Sequence, residues 1–471
     1  MTGRRQKAGD RAVDAVSFAR ISTGSSQADE ILGGGFPTSS INIIMGQPGT
    51  GKTIFAEQLL FHNAKGDRPL LYLTTLSEPM AKVVSYAQRL RFFDVNKVGN
   101  GVMYDDLGAE LSAEGPAILV PRVLELIKRL SPAVIVIDSF KAVHDLAQST
   151  QEMRRMVSAL AGVLSAYDVT AFLLGEYTQQ NIEAYPEFAV ADSIVQFERQ
   201  ALGGRDERYM RVLKLRGSSY LEGQHAFRIT DDGLCVFPRL VTPDFEQYTP
   251  VLERVPTGID GLDAIVGGGV WRGSTTLLVG PAGSGKSTMG LQFALGAAAI
   301  SAPALFVNFQ ENPAQVERML RALGVEPARA AANGFHHLYA SPVELQIDSV
   351  IVDIFDLIKT KGVHRVVIDA VGDLITAASD HKRLHDFMYS LVQHFVVRNV
   401  TSMLNLESMS GVTGSRDEEQ RWSYMSDNVL LLSRADEGHA ERTIRVIKTR
   451  NSNHDPMAHG MAIGADGVHI L

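Results

Sequence analysis

The stretch GQPGTGKT, residues 46–53, decides how the rest of this chain is interpreted. When it lies between a strand and a helix, the pattern GxxxxGK[ST] is typical of a loop whose backbone N–H groups surround phosphate oxygens. Its glycines permit the positive φ angles that such a loop needs. A second copy, GPAGSGKS, occupies residues 280–287. Two complete copies in register argue against chance turns, so the sequence predicts two nucleotide-binding sites.

Each predicted site has a lysine, a hydroxyl and a carboxylate. The lysine would reach the β- and γ-phosphates of ATP, and the hydroxyl residue after it would ligate Mg²⁺. An aspartate at the end of a later apolar strand would hold the ion through its waters. ATP and Mg²⁺ are therefore the predicted cofactors. The predicted nucleotide-binding residues are Gly46, Gly49, Thr50, Gly51, Lys52, Thr53, Gly280, Gly283, Ser284, Gly285, Lys286, Ser287 and Thr288, and the predicted metal-binding residues are Thr53, Asp138, Ser287 and Asp369.

A tandem duplication organises the chain. The triplet GGG at residues 33–35 recurs at residues 267–269, with the same offset that separates the two phosphate-loop motifs. The stretch 238–256 is punctuated by prolines and charges and sustains neither helical nor strand periodicity, so the seam is predicted there. We expect a flexible tail at residues 1–14, a first domain at 15–245 and a second domain at 246–471.

Each copy alternates short apolar runs with amphipathic helical runs. The first copy has INIIM, LLYLTT, AVIVID and VTAFLL, and the second has TTLLV, ALFVNF, RVVID and VTSMLNL. Continuous apolar strands separated by helices predict a mostly parallel sheet with helices on both faces, an α/β fold. Each copy ends in alternating strands, RYMRVLKLRG and RTIRVIKTR, which indicate an antiparallel extension.

Composition sets the class of protein. The 471 residues are 45% hydrophobic and 21% charged, typical of a globular protein with two or three domains. The net charge of −8 gives no general attraction to nucleic acid or anionic lipid, so neither is an expected partner. The single cysteine, Cys235, excludes an intrachain disulfide and a cysteine-based zinc site. No apolar run approaches the ~18 residues of a membrane span and no secretory leader is evident, so a cytoplasmic location is expected.

Carboxylates that could orient an attacking water follow several strands. Glu78 lies in TTLSEP and Glu311 in NFQENP, each just beyond an apolar strand, where a parallel sheet presents its functional edge. Helix capping is the alternative role for both, because Glu before Pro or Asn-Pro is ordinary at a helix start. Glu176 and Glu407 end the fourth strand of each copy and could position water, sense nucleotide, cap a helix or form salt bridges.

These motifs resemble the KaiC-like members of the RecA superfamily, which are named after the cyanobacterial circadian-clock ATPase. The resemblance runs from ISTGSSQADEILGGGFP to the end of the chain and is most specific in residues 257–288 and 212–238. It implies two tandem RecA-like P-loop NTPase domains, self-association into a two-tiered homohexameric ring, and ATP at the subunit interfaces. One phosphate loop would then serve each ring. KaiB-like or signalling partners remain open.

The chain departs from the family where adjacent glutamates follow the second strand. The aligned pair reads Leu76-Ser77 in the first copy, with Glu78 one place late, and Gln310-Glu311 in the second. Glutamine can orient water but cannot act as a general base. The predicted catalytic residues are Glu78, Glu311 and Gln310, and the missing leading glutamate predicts either slow turnover or a different residue in its role.

Paired cations close each copy. Lys214 and Arg216 share one face of a strand, and Lys448 and Arg450 do the same at the equivalent positions of the second copy. The family resemblance assigns them to the γ-phosphate of a neighbouring subunit. A solvated strand edge that discourages aggregation is the alternative.

The segment RWSYMSDNVLLL, residues 421–432, aligns with the region where the family's namesake carries adjacent serine and threonine phosphoacceptors. Here the pair reads Ser423-Tyr424. Ser423 keeps the acceptor chemistry, whereas the longer Tyr424 should spoil an attack geometry built for threonine. Weak autophosphorylation confined to Ser423 is expected. The alternative is that both residues only cap and pack the segment.

ATP hydrolysis, with possible weak serine autokinase activity, is the leading predicted function. A nucleotide-switched scaffold with negligible hydrolysis is one alternative, because the leading glutamates are missing. A RecA-type DNA-dependent ATPase is less favoured, since no appended DNA-binding motif or basic bias is present.

Overall fold

A computed structural model describes residues 19–65, 68–76, 78–202, 205–246, 248–297, 302–377, 381–407, 422–434 and 442–471. The predicted tail at residues 1–14 lies outside these ranges. The chain divides into two compact units, Met1–Arg239 and Leu240–Leu471. Within the described ranges, no helix combines the length and the apolar character that a membrane crossing needs.

The first unit alternates strands and helices along the chain. Its strands are β1 (Arg20–Ile21), β2 (Phe36–Pro37), β3 (Ile41–Gly46), β4 (Leu70–Thr74), β5 (Val102–Asp106), β6 (Val134–Asp138), β7 (Thr170–Gly175), β8 (Ser193–Leu202), β9 (Arg205–Leu215), β10 (His225–Thr230) and β11 (Gly233–Phe237). Its helices are α1 (Ser26–Ile31), α2 (Lys52–Asn63), α3 (Met80–Ala87), α4 (Gly108–Glu114), α5 (Leu119–Leu130), α6 (Phe140–Leu146), α7 (Thr150–Ala166), α8 (Gln179–Ala184) and α9 (Pro186–Val190).

The second unit repeats this alternation. Its strands are β12 (Arg254–Val255), β13 (Val270–Trp271), β14 (Thr275–Gly280), β15 (Ala304–Asn308), β16 (Phe335–Tyr339), β17 (Arg365–Asp369), β18 (Thr401–Glu407), β19 (Asn428–Arg434), β20 (Arg442–Thr449), β21 (Ala458–Gly464) and β22 (Gly467–Ile470). Its helices are α10 (Leu262–Ile265), α11 (Lys286–Leu295), α12 (Pro313–Ala322), α13 (Pro327–Ala332), α14 (Ile347–Lys361), α15 (Val371–Ala377) and α16 (His381–Val397).

The two main sheets have the same topology. The first sheet has the order β11-β10-β9-β8-β3-β7-β6-β4-β5, and the second has β16-β15-β17-β18-β14-β19-β20-β21-β22, which is the same order written from the other edge. In the first sheet the strands from β8 to β5 are parallel, and β9, β10 and β11 extend it antiparallel. The predicted α/β fold, a mostly parallel sheet repeated in tandem, is confirmed.

Strand β3 shows why these apolar runs become central strands. All six of its residues are buried. Ile43 and Met45 pack into the core on one face of the sheet, whereas Ile44 packs into the core on the other face. A strand that is covered on both faces has a continuous apolar sequence, because the side chains that point to either face must be hydrophobic. Burying each such side chain stabilises the fold by about 1.5–3 kcal/mol.

The strand order brings the predicted site residues together. The phosphate loop of the first unit joins β3 to α2, and Asp138 ends β6, two strands away from β3. The second unit joins β14 to α11 in the same way, and Asp369 ends β17. Because parallel strands end at one edge of the sheet, each loop and its aspartate lie at the same carboxyl edge.

Candidate nucleotide-binding sites

Both phosphate loops have the backbone that their glycines predict. Gly49 and Gly51 have φ angles of 73° and 95°, and Gly283 and Gly285 have 73° and 102°. A Cβ atom on Gly51 would lie 2.9 Å from Ile229 Cδ1, whereas a Cβ atom on Gly49 would meet no atom within 4 Å. The loop thus packs against the protein on one side and borders open space on the other. That shape fits a phosphate group.

The lysine of each loop turns back onto the loop itself. Lys52 Nζ donates hydrogen bonds to the backbone oxygens of Gly46 and Gln47, both at 3.0 Å. Lys286 Nζ makes the equivalent pair of bonds at 2.8 and 2.9 Å. Each lysine is only 8% exposed. A buried ammonium group next to the backbone N–H groups of a helix N-terminus favours an anionic ligand.

Nearby carboxylates act on both lysines. Burial lowers the pKa of the Lys52 ammonium, and the charges of Glu176 and Asp138 oppose this change. Glu176 therefore lies within electrostatic reach of the phosphate loop, which keeps it a candidate for orienting water or sensing nucleotide. The second unit has the same arrangement, formed by Lys286, Glu407 and Asp369.

The metal-binding residues predicted for the first unit are in direct contact. Thr53 Oγ1 donates a hydrogen bond to Asp138 Oδ2 at 2.8 Å. Tyr72, which the sequence did not single out, donates its hydroxyl to the same oxygen at 2.6 Å. A hydroxyl and a carboxylate oxygen are hard ligands of the kind that Mg²⁺ prefers, with waters and phosphate oxygens completing the shell.

The carboxylate of the second unit is more deeply enclosed. Asp369 is 5% exposed, and burial raises its pKa, while the Asn405 amide and the Ser287 hydroxyl oppose that rise. Asn405 Nδ2 donates to Asp369 Oδ1 at 2.9 Å, but Asp369 Oδ2 makes no hydrogen bond of standard geometry with the described residues, although the Ser287 hydroxyl lies close enough to affect the pKa of this carboxyl group. A buried carboxylate oxygen in this position fits a hydrated cation. Among the described residues, no group of three or more His, Cys, Asp or Glu side chains is arranged to hold a metal ion.

The three predicted catalytic residues lie in different surroundings. Glu78 forms an ion pair with Lys82, one turn along at the start of α3, with 2.9 Å between Oε1 and Nζ. Gln310 Nε2 donates to Asp373 Oδ1 at 3.0 Å. Glu311 accepts a hydrogen bond from Asn308 Nδ2 at 2.9 Å.

Glu78 and Glu311 differ in whether their charges act on the predicted site residues. The charge of Glu311 contributes to raising the pKa of Asp369, so Glu311 lies near the predicted metal carboxylate. The carboxylates that raise the pKa of Lys52 are Glu176 and Asp138, and Glu78 is not one of them. The surroundings of Glu311 therefore suit a role in orienting water better than those of Glu78.

The paired lysine and arginine near the end of each copy, here called the closing cations (Lys214 and Arg216, Lys448 and Arg450), contact a backbone segment within their own unit. Lys448 Nζ donates to the backbone oxygens of Ser423 and Ser426, both at 2.7 Å. Arg450 donates to the backbone oxygen of Tyr424 at 2.9 Å and lies 3.6 Å from Asp427 Oδ1. The cations of the second unit thus contact the segment that carries both phosphoacceptor candidates.

The first unit repeats this arrangement. Lys214 Nζ donates to the backbone oxygen of Ala191 at 2.5 Å, and Arg216 lies 3.4 Å from Asp192 Oδ1. Both arginine side chains remain at least half exposed, at 59% for Arg216 and 50% for Arg450. The two guanidinium groups are therefore accessible from solvent.

The two phosphoacceptor candidates differ in exposure. Tyr424 is 74% exposed, whereas Ser423 is half-buried. The phenol of Tyr424 thus extends into solvent, while the shorter Ser423 side chain stays close to the backbone that Lys448 contacts.

A buried carboxyl group that the sequence did not single out lies next to the first site, within electrostatic reach of Asp138. Glu57, on α2, is 2% exposed and accepts a hydrogen bond from Tyr104 at 2.7 Å, while its Oε1 has no partner among the described residues. Burial raises the pKa of Glu57 to about 7. The available signal was a glutamate within a run of α2 that is otherwise mostly apolar.

We expect Glu57 to make the stability of the first unit depend on pH. The folded unit keeps the Glu57 proton up to a pKa of about 7, whereas the unfolded chain releases it near 4.5, so the free energy of unfolding falls as pH rises between these values. Glu57→Gln removes this loss and should stabilise the first unit at pH 8 by about 3 kcal/mol more than at pH 4.5.

Urea unfolding followed by circular dichroism at both pH values measures this difference. Glu125→Gln, at an exposed ion-paired glutamate of the same unit, is the control and should show no such change. An equal effect of Glu57→Gln at both pH values would contradict the prediction.

Comparison with known proteins finds one family in both units. The model of the KaiC ATPase family matches residues 21–241 and again residues 255–471. The chain is 25% identical over 457 residues to the circadian clock oscillator protein KaiC of Picosynechococcus sp., covering 94% of this chain and 87% of that protein. It is 25% identical over 472 residues to the protein of the same name from Synechococcus elongatus, covering 96% and 89%. It is 24% identical over 474 residues to the circadian clock protein KaiC2 of Synechocystis sp., covering 97% and 82%.

Proposed function

This chain belongs to the KaiC family of ATPases, and we propose that each of its two sites binds ATP with Mg²⁺ and hydrolyses it within a ring of subunits. One observation carries the proposal. At the carboxyl edge of both sheets, a buried lysine lies on a positive-φ glycine loop and a carboxylate lies beside it. Tandem repetition of this whole arrangement supports two working sites.

The residues divide the chemistry between them. Bound ATP and Mg²⁺ would supply the reacting phosphoryl group and the charge that neutralises it. Lys52 and Lys286 bind phosphate oxygens through their ammonium groups. The hydroxyl and aspartate of each site hold the ion, as Thr53 and Asp138 would in the first unit. Glu311 orients the attacking water in the second unit.

The proposed ring gives the closing cations a second binding partner. In a two-tiered homohexamer each unit would form one tier, and the exposed guanidinium groups would reach the phosphate of a neighbouring subunit. The in-trans contacts are assigned to Lys214, Arg216, Lys448 and Arg450. KaiB-like or signalling partners and a cytoplasmic location stay predictions from the sequence.

Phosphate release from ATP tests the proposed function. We expect steady Mg²⁺-dependent release that single-stranded DNA does not change. Release only with DNA would indicate a RecA-type DNA-dependent ATPase. Nucleotide binding without release would indicate a nucleotide-switched scaffold.

We predict weak autophosphorylation confined to Ser423, with ATP hydrolysis the dominant reaction. A serine hydroxyl held in line with a γ-phosphate competes with water as nucleophile, whereas the exposed phenol of Tyr424 lies farther from the backbone. Incubation with ATP followed by peptide mass spectrometry should find a minor fraction of Ser423 phosphorylated. Ser423→Ala is the control and should remove the signal while phosphate release continues.

Two results would contradict this prediction. If Ser423 carries no phosphate, the chain is an ATPase without autokinase activity. If Tyr424 is phosphorylated stoichiometrically, the geometric reason given for its exclusion is wrong.

A further inference from the structure

The two metal-binding carboxylates accept hydrogen bonds from different donors on the neighbouring strands. In the first unit Tyr72, on β4, donates its hydroxyl to Asp138 Oδ2 at 2.6 Å. In the second unit Asn405, on β18, donates its amide to Asp369 Oδ1 at 2.9 Å. Strands β4 and β7 flank β6, and strands β15 and β18 flank β17. Since β4 corresponds to β15 and β7 to β18, the donor comes from opposite sides of the aspartate in the two units.

At each of the two equivalent strand positions, one unit has a hydrogen-bond donor and the other unit has an apolar side chain. The position of Tyr72 is occupied in the second unit by Phe306, since both are the central residue of equivalent strands. Leu174 and Asn405 are each the register partner of the metal-binding aspartate on the adjacent strand. Leu174 and Phe306 are both fully buried and have no side-chain donor. The donor to the aspartate therefore lies on β4 in the first unit and on β18, the equivalent of β7, in the second unit.

Packing alone does not explain these contacts. Tyr72 is completely buried, so its hydroxyl needs some acceptor. The acceptor is Asp138 Oδ2, the same atom that Thr53 contacts at 2.8 Å. Phe306 fills the equivalent space without a hydroxyl, and in that unit an asparagine supplies the donor instead. The feature that both units keep is a donor to the aspartate, and the residue type and the strand both change.

We infer that Tyr72 and Asn405 are positioning residues, each of which orients the metal-binding carboxylate of its own site. The inference rests on the proposed function, because the orientation matters only if Asp138 and Asp369 hold Mg²⁺. Groups that orient a metal ligand typically change metal affinity about 10–100-fold. Asn405 Nδ2 also donates to the backbone oxygen of Lys286 at 3.2 Å, which ties this carboxylate to the start of α11.

The test measures the Mg²⁺ dependence of nucleotide binding in the full chain. In a Lys286→Ala background, which leaves the first site intact, a fluorescent ATP analogue is titrated at increasing Mg²⁺ concentration. Tyr72→Phe should raise the Mg²⁺ concentration for half-maximal binding about 10-fold. Adding Leu174→Asn, which installs the donor of the second unit, should restore most of the loss.

Tyr104→Phe is the matched control for the first site. Tyr104 is also a tyrosine bonded to a buried carboxyl group, and its ring lies 5.7 Å from that of Tyr72. It donates to Glu57 and not to Asp138, so its loss should leave the Mg²⁺ dependence unchanged. An equal shift in both variants would mean that general packing is responsible and would overturn the inference.

The second site gives an independent measurement. In a Lys52→Ala background, Asn405→Leu should raise the required Mg²⁺ concentration, and adding Phe306→Tyr should lower it again. The Asn405→Leu and Phe306→Tyr variants still test the inference if Tyr72→Phe does not fold. If neither unit shifts while the parent chains still need Mg²⁺, the inference is wrong. If the parent chains bind nucleotide without any Mg²⁺ dependence, the proposed function itself is wrong at the metal site.

Discussion

Arg450→Ala is expected to lower ATP hydrolysis at the second site by about 10³-fold, if the guanidinium reaches a neighbouring subunit's phosphate as proposed. Its side chain is half exposed, and within its own unit it contacts the Tyr424 backbone oxygen and Asp427. An arginine that stabilises transition-state charge affects the rate more than nucleotide binding. The rate is measured as phosphate release in a Lys52→Ala background, where only the second site works.

Mixed rings separate action in trans from action within one subunit. Subunits with Arg450→Ala keep an intact second phosphate loop, and subunits with Lys286→Ala keep an intact arginine. Mixing the two should recover part of the second-site activity, because some interfaces would then join an intact loop to an intact arginine. Arg445→Ala, at another exposed arginine near the end of the chain, is the control and should leave the rate unchanged. No recovery in intact hexamers would count against the assignment.

Lys52→Ala and Lys286→Ala should each reduce the nucleotides bound per chain from two to one. Each lysine is buried on its loop, where its ammonium group contacts the loop backbone. Loss of a charge-assisted contact to phosphate costs about 1.5–3 kcal/mol, or roughly 10–100-fold in affinity. Isothermal titration with Mg²⁺ and ATP measures both stoichiometry and affinity.

Nucleotide binding at one site should not depend on the lysine of the other site. The double variant should bind no nucleotide at the concentrations that saturate the parent chain. If either single variant still bound two nucleotides with the parent's affinity, the corresponding loop would not be a nucleotide site.

The sheet was predictable because its central strands are buried on both faces. Runs such as INIIM and AVIVID are continuous and apolar, and the phosphate-loop pattern lies between a strand and a helix. Those two signals place Lys52 and Asp138 at one carboxyl edge without any knowledge of strand order. The antiparallel extension followed from the alternation in residues 208–217.

The donors to the aspartates could not be predicted in the same way. Tyr72 lies in LLYLT and Asn405 in TSMLNLE, where each is flanked by leucines and nothing in the local sequence marks it as a donor. Their contacts depend on which strand lies beside β6 or β17, and that order is a property of the whole sheet. The ion pair between Glu78 and Lys82 was not predicted either. A glutamate at a helix start after a strand fits a capping role and a catalytic role equally well.

Native mass spectrometry of the full chain with Mg²⁺ and a slowly hydrolysed ATP analogue shows whether both phosphate loops bind nucleotide within a ring. It reports the number of subunits and the number of bound nucleotides in a single measurement. We expect a hexamer that carries two nucleotides per chain. A chain that binds one nucleotide or none under saturating conditions, whatever its assembly state, would contradict it.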